Sequence, residues 1–330
     1  MSTVLAVTSR HDDETFALLS AAMSARGARL VRLNTESFPT GAQLDAELAE
    51  GGYRGALTTE DGERVELHTL QSVWLRRLRT GRDLRREGLT PSVLSACRGE
   101  SDAALGGVLC GLSAPMVNDM FSMIRAESKA YQLSVARRLG LRLPETLISN
   151  RAAPIHAFAG QHPALITKML ATAEVRTGSG ESAAMPTSAV TAEDLVGLEA
   201  SLSLSPATFQ RRLDKKLEVR AAVVGDRVLA AAVDSQQIPE AEVDWRQGSD
   251  VLMDRFEPIE LPAALCASLV RLHRVLDLQY GGVDLILTPD DEWVFLETNP
   301  AGEWAWVQNT GLDVAGALAD VLLSAPRRLL

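Results

Sequence analysis

The sequence predicts an α/β protein with more than one domain, and three observations support this prediction. The chain has 330 residues, whereas a typical domain has roughly 100–200. It begins with a strand pattern, a helix pattern and a second strand pattern, an order typical of an open α/β sheet. Its C-terminal half contains two pairs of apolar runs separated by turn residues, which predict antiparallel hairpins. We expect domains at 1–116, 117–206 and 207–330.

The first domain is predicted to be an α/β unit. Residues 2–8 (STVLAVT) and 29–33 (RLVRL) are short apolar runs with strand character. Between them, residues 13–26 carry apolar side chains at helical spacing. The later elements are predicted as strands at 53–58, 63–67 and 72–79 and as a helix at 91–112.

The second domain is predicted to combine helices with one buried strand and a loop. An amphipathic helix is expected over 122–139, because Gly140 is a typical residue just past a helix end. Residues 163–170 (PALITKML) predict a buried strand, and residues 171–190 are rich in Thr, Ser, Gly and Ala, as loops are. Further helices are predicted at 151–159 and 191–203.

The third domain is predicted to contain two hairpins. After a first strand at 207–213, apolar runs at 217–224 and 227–233 flank Gly225-Asp226, a two-residue turn signal. A second pair of runs, 282–288 and 292–298, flanks a turn at 289–291. Helices are predicted at 261–278 and 311–323.

Composition excludes several classes of protein. The chain has 43 acidic and 33 basic side chains, a net charge of −10, which disfavours nucleic acid as the main partner. Its three cysteines are too few for a disulfide framework or a thiolate metal site, and its five scattered histidines offer no hydrolase triad. The first residues do not show the pattern expected of a signal peptide, and no apolar run approaches ~20 residues. We therefore expect a cytoplasmic protein that does not bind membranes.

The second hairpin carries a candidate metal site. Glu297 and Asn299 lie two residues apart on one strand and therefore point to the same face. If the hairpin closes at 289–291, Asp284 lies nearly opposite them. Oxygen ligands of this kind suit Mg²⁺. The alternative explanation is an edge strand with a solvated acidic face.

Lysine is rare in this chain, which makes a specific role for each remaining lysine more plausible. Only four of the 33 basic residues are lysines. Lys168 lies inside an apolar run and should meet an anion, either a structural carboxylate or a phosphate. Lys129 is expected on the solvated side of its helix. Gly178 and Gly180 would let backbone amides approach a phosphate, although a plain loop explains them equally well.

Two arginines are further candidates. Arg220 lies among apolar residues in a predicted strand, where it could pair with Glu218 or another carboxylate, or bind a phosphate or substrate carboxylate. Arg246 lies in the segment DWR (244–246), which is predicted to end an edge strand.

In their order and separation, several segments resemble ATP-grasp ligases. More narrowly, the chain is similar to the maturases that build graspetides, the microviridin-type ω-ester and ω-amide peptides. The matching segments are VWLRR (73–77), residues 117–150, ALITK (164–168), RTGSG (176–180), residues 209–228, VDWR (243–246), residues 281–300 and GEWAW (302–306).

This resemblance implies an ATP-grasp fold with an N-terminal pre-ATP-grasp α/β domain, a central lid domain and a C-terminal antiparallel-sheet domain. It implies ATP and Mg²⁺ as cofactors. Lys129 and Lys168 match the lysines on the phosphates, and residues 176–180, with Gly178 and Gly180, match the lid over them. The remaining matches are Gln210, Arg211 and Leu213 beside the adenine, Arg220 and Arg246 beside the transferred phosphoryl group or acceptor carboxylate, and Asp284, Glu297 and Asn299 on magnesium.

The chain departs from the family pattern at a few positions. Arg211 stands where a glutamate is common, which puts a ribose contact by that side chain in question. The terminal motif NPAGEW has Ala301 and Glu303 in place of the usual Asn and Gln, Thr298 replaces an apolar residue, and no proline follows the arginine pair. These departures bear on the choice of substrate more than on the use of ATP.

The implied activity is activation of Asp or Glu side chains of a ribosomal precursor peptide as acyl phosphates. These then react with Ser or Thr hydroxyls to give esters, or with Lys amines to give amides. The implied partner is a precursor peptide with a leader and an acidic, hydroxyl-rich core, and a homodimer is a further expectation. The alternatives are an ATP-grasp ligase acting on a free amino acid or small molecule, and a non-catalytic nucleotide-binding protein.

Overall fold

The N-terminal part of the chain contains a parallel sheet covered on both faces, so the predicted α/β class is confirmed. The computed structural model describes residues 1–327 except 51, 86, 172–173, 177–181, 185 and 192. The parallel strands follow the order β2-β1-β6-β7. The elements of this part are β1 Thr3–Thr8, α1 Asp13–Ala25, β2 Arg29–Asn34, β3 Gln43–Ala49, β4 Gly52–Thr58, β5 Arg64–Glu66, β6 Ser72–Leu75, α2 Pro91–Cys110 and β7 Met116–Val117.

Successive residues of β1 enter two different hydrophobic cores. Val4 and Ala6 pack with Leu19 and Met23 of α1, whereas the next residues along the strand face α2 on the other side. Because both faces are covered, β1 is apolar from Val4 to Val7 and shows no polar alternation there. A separate antiparallel sheet, β3-β4-β5, follows β2, and its first strand was not predicted.

The central part begins with two helices where one was predicted over 122–139. Helix α3 spans Met120–Ala126 and helix α4 spans Lys129–Arg138. Asp119 caps α3, because its Oδ1 accepts hydrogen bonds from two backbone amides at the start of the helix. The prediction of one continuous helix was therefore wrong. Lys129 begins a helix instead of lying on the side of one.

A mixed set of short strands and helices completes the central part. Its main sheet is antiparallel in the order β12-β9-β13-β8, and α5 packs on it through Ile155. Strand β9 ends at Thr167, so Lys168 follows the strand and is not inside it. The elements are β8 Thr146–Ser149, α5 Ala152–Gln161, β9 Leu165–Thr167, β10 Glu174–Arg176, β11 Ser182–Ala184, β12 Ser188–Val190, α6 Leu198–Leu202 and β13 Ala207–Arg211.

The C-terminal part is an antiparallel sheet in the order β16-β15-β14-β17-β18. Both predicted hairpins are confirmed, with turns at Gly225-Asp226 and at 288–292. Helix α8 packs on one face of the sheet, and α10 packs on the other. The elements are β14 Leu217–Val224, β15 Arg227–Val233, α7 Ser249–Leu252, β16 Glu257–Ile259, α8 Ala263–Leu276, β17 Tyr280–Leu287, β18 Trp293–Asn299, α9 Ala305–Gln308 and α10 Val314–Ser324.

The first and last parts of the chain share one hydrophobic core. Leu19 and Met23 of α1 belong to the same buried cluster as Leu318 and Leu322 of α10. Strand β13, the first of the predicted third domain, pairs with β8 and β9 of the central sheet. The boundaries at 116/117 and 206/207 stay predictions. Among the described helices, none is long and apolar enough to cross a membrane.

Candidate functional site

A cavity of about 340 Å³ lies between the central sheet and the C-terminal sheet. Most of the residues singled out from the sequence line it. Arg220 and Asn299 do not belong to the lining, and Gly178 and Gly180 lie outside the described residues. The predicted residues in the lining are Lys129, Lys168, Gln210, Arg211, Leu213, Arg246, Asp284 and Glu297.

Two lysines from distant segments meet one carboxylate in this cavity. The Nζ atom of Lys129 lies 3.1 Å from Oε2 of Glu297, and the Nζ atom of Lys168 lies 3.8 Å from the same oxygen. The side chain of Lys168 is only 12% exposed. The expectation that this lysine meets an anion is therefore confirmed.

The charges around Glu297 decide its protonation state. Burial alone would raise the pKa of Glu297, but the charges of Lys168, Lys129 and Arg246 outweigh burial and lower that pKa to about 2. Burial also lowers the pKa of Lys168, and the carboxylate of Glu297 opposes that shift. The site thus keeps an ionised carboxylate between cations at neutral pH.

Three neighbouring strands align the charged side chains across one sheet. Arg220 of β14 lies opposite Asp284 of β17, and Asp284 lies opposite Glu297 of β18. Nη1 of Arg220 is 3.0 Å from Oδ1 of Asp284, and both side chains are 9% exposed. Gly282 leaves room for this guanidinium, since a Cβ there would lie 3.0 Å from Nη1. The register predicted for the second hairpin is confirmed.

Arg246 reaches both carboxylates from a different segment. Its Nη2 lies 3.0 Å from Oδ2 of Asp284 and 3.5 Å from Oε1 of Glu297. Burial alone would lower the pKa of Arg246, but Asp284, Asp244 and Glu297 outweigh burial and raise it. The segment Trp245–Gly248 is a short 3₁₀ helix capped by Asp244. The prediction of an edge-strand end at 244–246 was therefore wrong.

Asn299 lies on the same strand as Glu297 but does not line the cavity. It is exposed at the end of β18, opposite Gly282, and its Oδ1 accepts a hydrogen bond from the backbone of Ala301 at 3.1 Å. Within the described part of the chain, no three His, Cys, Asp or Glu side chains converge on one point. Among the described residues, Asp284 and Glu297 are the two carboxylates that the predicted metal site would offer a cation. That number suits Mg²⁺, which commonly takes its other ligands from water and phosphate.

Another part of the cavity lining comes from β13 and the residues just after it. Gln210 is buried, and its Nε2 donates to Oγ1 of Thr146 at 2.9 Å. Arg211 forms an ion pair with Glu145, with Nε 2.8 Å from Oε2. Leu213 packs with apolar residues of the second hairpin. The lining here thus combines apolar side chains with polar groups that already have partners.

Sequence reasoning missed a second buried ion pair in the lining. Nζ of Lys215 lies 2.8 Å from Oε1 of Glu218, which also accepts a hydrogen bond from Ser235 at 2.7 Å. Burial raises the pKa of Glu218 although Lys215 opposes the shift. Of the two carboxylate partners left open for Arg220, the structure shows another carboxylate, Asp284, and not Glu218, which pairs with Lys215. The scarcity of lysine was the signal that could have identified Lys215.

Sequence comparisons relate the chain to two groups of proteins. Residues 3–125 match the family described as the MvdD pre-ATP grasp domain. A curated protein of Chromohalobacter salexigens, described as a probable alpha-L-glutamate ligase, is 24% identical over 224 residues, covering 66% of this chain and 70% of that protein.

Solved structures match over nearly the whole chain. A RiPP-associated ATP-grasp ligase of Chryseobacterium gregarium, in complex with ADP and a leader and core peptide, has a TM-score of 0.92 and 29% identity, covering 100% of both chains. The macrocyclase MdnC of Microcystis aeruginosa MRC, bound with the precursor peptide MdnA, has a TM-score of 0.85 and 32% identity, covering 98% of this chain and 100% of that chain.

Proposed function

Because the chain belongs to the family of ATP-grasp ligases that includes the macrocyclase MdnC, we propose that it is an ATP-dependent ligase of a precursor peptide. It joins side-chain carboxylates of the peptide to Ser or Thr hydroxyls as esters, or to Lys amines as amides. The observation that carries this proposal is the meeting of Lys129 and Lys168 with Glu297 in one cavity. A homodimer stays a prediction.

The residues divide into groups by the chemistry they offer. Lys129 and Lys168 would bind the phosphates of ATP, because both ammonium groups already hold an anion. Asp284 and Glu297, with Asn299 beside them, would hold Mg²⁺, which when bound adds positive charge to the phosphates. Arg220 and Arg246 would contact the transferred phosphoryl group or the acceptor carboxylate. Gln210, Arg211 and Leu213 would lie beside the adenine. Gly178 and Gly180 would belong to the lid over the phosphates.

The proposed reaction has two steps. A carboxylate oxygen of the peptide attacks the γ-phosphorus of ATP, which forms an acyl phosphate and releases ADP. A hydroxyl or amine of the same peptide then attacks the carbonyl carbon, loses its proton and releases phosphate. The side chains of Lys129, Lys168, Arg220 and Arg246 would stabilise the negative charge that gathers in the first step.

Mass spectrometry of the peptide tests this function. The enzyme is incubated with ATP, magnesium and the peptide encoded next to it, and each cross-link should remove one molecule of water. The matched control is the same peptide with its core Asp and Glu replaced by Asn and Gln, which should keep its mass. An unchanged mass of the original peptide, while calorimetry demonstrates ATP binding, would contradict the proposal.

A second candidate is an amide ligase for a free amino acid. The likeness to a probable alpha-L-glutamate ligase favours it. This activity would release ADP when glutamate and a small amine or amino acid are supplied without any peptide. ADP release that depends on the peptide would exclude it.

A further inference from the structure

One buried glutamine connects the helix that begins with Lys129 to the strand that carries Glu297. Gln132 lies on α4 and is 2% exposed. Its Nε2 donates to the backbone oxygen of Thr298 at 2.7 Å, and its Oε1 accepts a hydrogen bond from the backbone nitrogen of Thr298 at 2.9 Å. The side-chain amide thus pairs with both backbone groups of one strand residue, as a neighbouring strand would.

The same amide also satisfies a backbone oxygen at the end of α3. The second hydrogen of the Gln132 Nε2 group is donated to the backbone oxygen of Ala126, the last residue of α3. A helix end leaves such oxygens without partners inside the helix. Gln132 therefore makes contact with the end of α3 and with β18 at once, and all three hydrogen bonds lie in the protein interior.

The position of Thr298 makes this contact relevant to the site. Thr298 stands between Glu297 and Asn299, at the edge of the described C-terminal sheet. Lys129 is three residues before Gln132, so the two side chains are neighbours on the surface of α4. Fixing Gln132 on Thr298 therefore brings Lys129 beside Glu297, where their charged atoms are 3.1 Å apart.

Other contacts of β18 do not replace this one. Oγ1 of Thr298 lies 2.9 Å from Nε2 of His273, which fixes the strand against α8 but not against α4. The backbone nitrogen of Phe295 donates to the oxygen of Arg142 at 2.9 Å, beyond the far end of α4. Among these contacts, only that of Gln132 lies one turn from Lys129.

We propose that Gln132 is a positioning residue for nucleotide binding. It sets the register of α4 against β18 and so keeps the ammonium group of Lys129 in the cavity beside Glu297, from where it can reach the phosphates of a nucleotide. This inference rests on the proposed function. Gln132 itself would touch neither the nucleotide nor the peptide. It would affect the affinity of the protein for nucleotide and leave its affinity for peptide unchanged.

A double-mutant cycle with ADP and magnesium as the probe tests the inference. Gln132→Leu keeps the approximate size of the side chain and removes all three hydrogen bonds. We expect about tenfold weaker ADP binding by calorimetry, because one charge-assisted contact is displaced. The KM for ATP should rise by a similar factor while the KM for the peptide stays unchanged. In a Lys129→Ala background, Gln132→Leu should change ADP affinity less than about twofold, since Lys129 is already absent.

Val135→Ala is the matched control. Val135 is buried on the same helix but packs only in the hydrophobic core, so its loss should lower the thermal unfolding temperature and leave ADP affinity unchanged. Gln132→Met, which also removes the three hydrogen bonds but keeps an unbranched, flexible side chain, is a second variant in case Gln132→Leu does not fold. We expect it to show a similar loss of affinity, again dependent on Lys129.

The outcomes separate this inference from the proposed function. If the parent protein binds neither ADP nor ATP, the proposed function fails. If the parent binds ADP, then unchanged affinity in a folded Gln132 variant would overturn the positioning role. An equal loss with and without Lys129 would also overturn it, because Gln132 would then act independently of that lysine.

Discussion

Glu297 is the side chain on which the charges of the site converge. Lys129, Lys168 and Arg246 each place a nitrogen within 3.8 Å of its carboxylate. With its pKa lowered to about 2, the group stays ionised throughout the physiological range. A neutral side chain of the same shape would leave three cations facing one another with less compensation.

Glu297→Gln should reduce ADP release in the presence of peptide by at least about 100-fold, as expected when one preorganised charge in a phosphoryl-transfer site is lost. The fold should stay intact by circular dichroism. Asp290→Asn is the control, because Asp290 is exposed in the turn of the same hairpin, and its activity should be unchanged. Full activity of Glu297→Gln at saturating magnesium would refute the assignment.

At the scale of elements, α8 and β18 meet through a buried histidine. His273 is 1% exposed, and its Nε2 lies 2.9 Å from Oγ1 of Thr298. Burial lowers the pKa of His273 to about 3, below the value of about 6.5 in an unfolded chain. The unfolded state therefore binds a proton that the folded state does not, and stability falls as the pH falls from 6.5 toward 3.

Urea unfolding between pH 7 and pH 5 should reveal this dependence. One such histidine should lower the free energy of unfolding by up to about 1.4 kcal/mol for each pH unit below pH 6.5. His273→Leu should remove most of this dependence of the free energy of unfolding on pH. His156→Gln, which changes an exposed histidine on α5, is the control and should leave the dependence as it is. Equal slopes for the parent and His273→Leu would mean that His273 takes up its proton in the folded protein.

The elements differ in how far sequence could predict them. Strands β14, β15, β17 and β18 were predictable because apolar runs and clear turn residues define both hairpins. The break before Lys129 was not, because the apolar spacing continues through it and the partner of the Ala126 backbone oxygen is the side chain of Gln132 on the next helix, a contact that the spacing does not indicate. Strand β3 was missed because its residues are half-buried or exposed, with charged side chains such as Asp45 and Glu47.

The contacts of the site also differ in how far sequence could predict them. The alignment of Asp284 with Glu297 came from hairpin geometry, which is local in sequence. The partners of Arg220 and Lys168 depended on strands and loops far apart in the chain, so the residues could be selected but their ion pairs could not. Arg220 pairs with Asp284 across β14 and β17, and no spacing within the segment around Arg220 indicates that.

At the scale of the whole molecule, Arg76 ties the N-terminal sheet to the segment after β18. Its side chain is 1% exposed, with Nε 2.9 Å from Oδ1 of Asp12, and it also contacts the carboxylate of Glu303. Nη1 donates to the backbone oxygen of Gly302 at 3.2 Å. Burial would raise the pKa of Glu303, but Arg76 and hydrogen bonds outweigh it and lower that pKa. The unusual glutamate at 303 therefore has a charged partner.

Arg76→Ala should destabilise the protein by about 3–5 kcal/mol, because Asp12 would remain buried without its main counter-charge. Arg77 is the natural control in the same motif, since it is 32% exposed and lies 3.5 Å from Asp12. Arg77→Ala should cost less than about 1 kcal/mol. Urea unfolding measures the free energy of unfolding of both variants. A similar, small decrease in both would argue against a dominant role for Arg76.

The ion pairs of the cavity have a thermodynamic consequence for ligand uptake. Under the proposed assignment, a lysine that turned from Glu297 toward a phosphate would leave that buried anion uncompensated, and a divalent cation beside Glu297 would restore the balance. A cation arriving alone would instead meet the lysines and be repelled. We therefore expect nucleotide and metal to strengthen each other's binding, and by reciprocity each would raise the affinity for the other by the same factor.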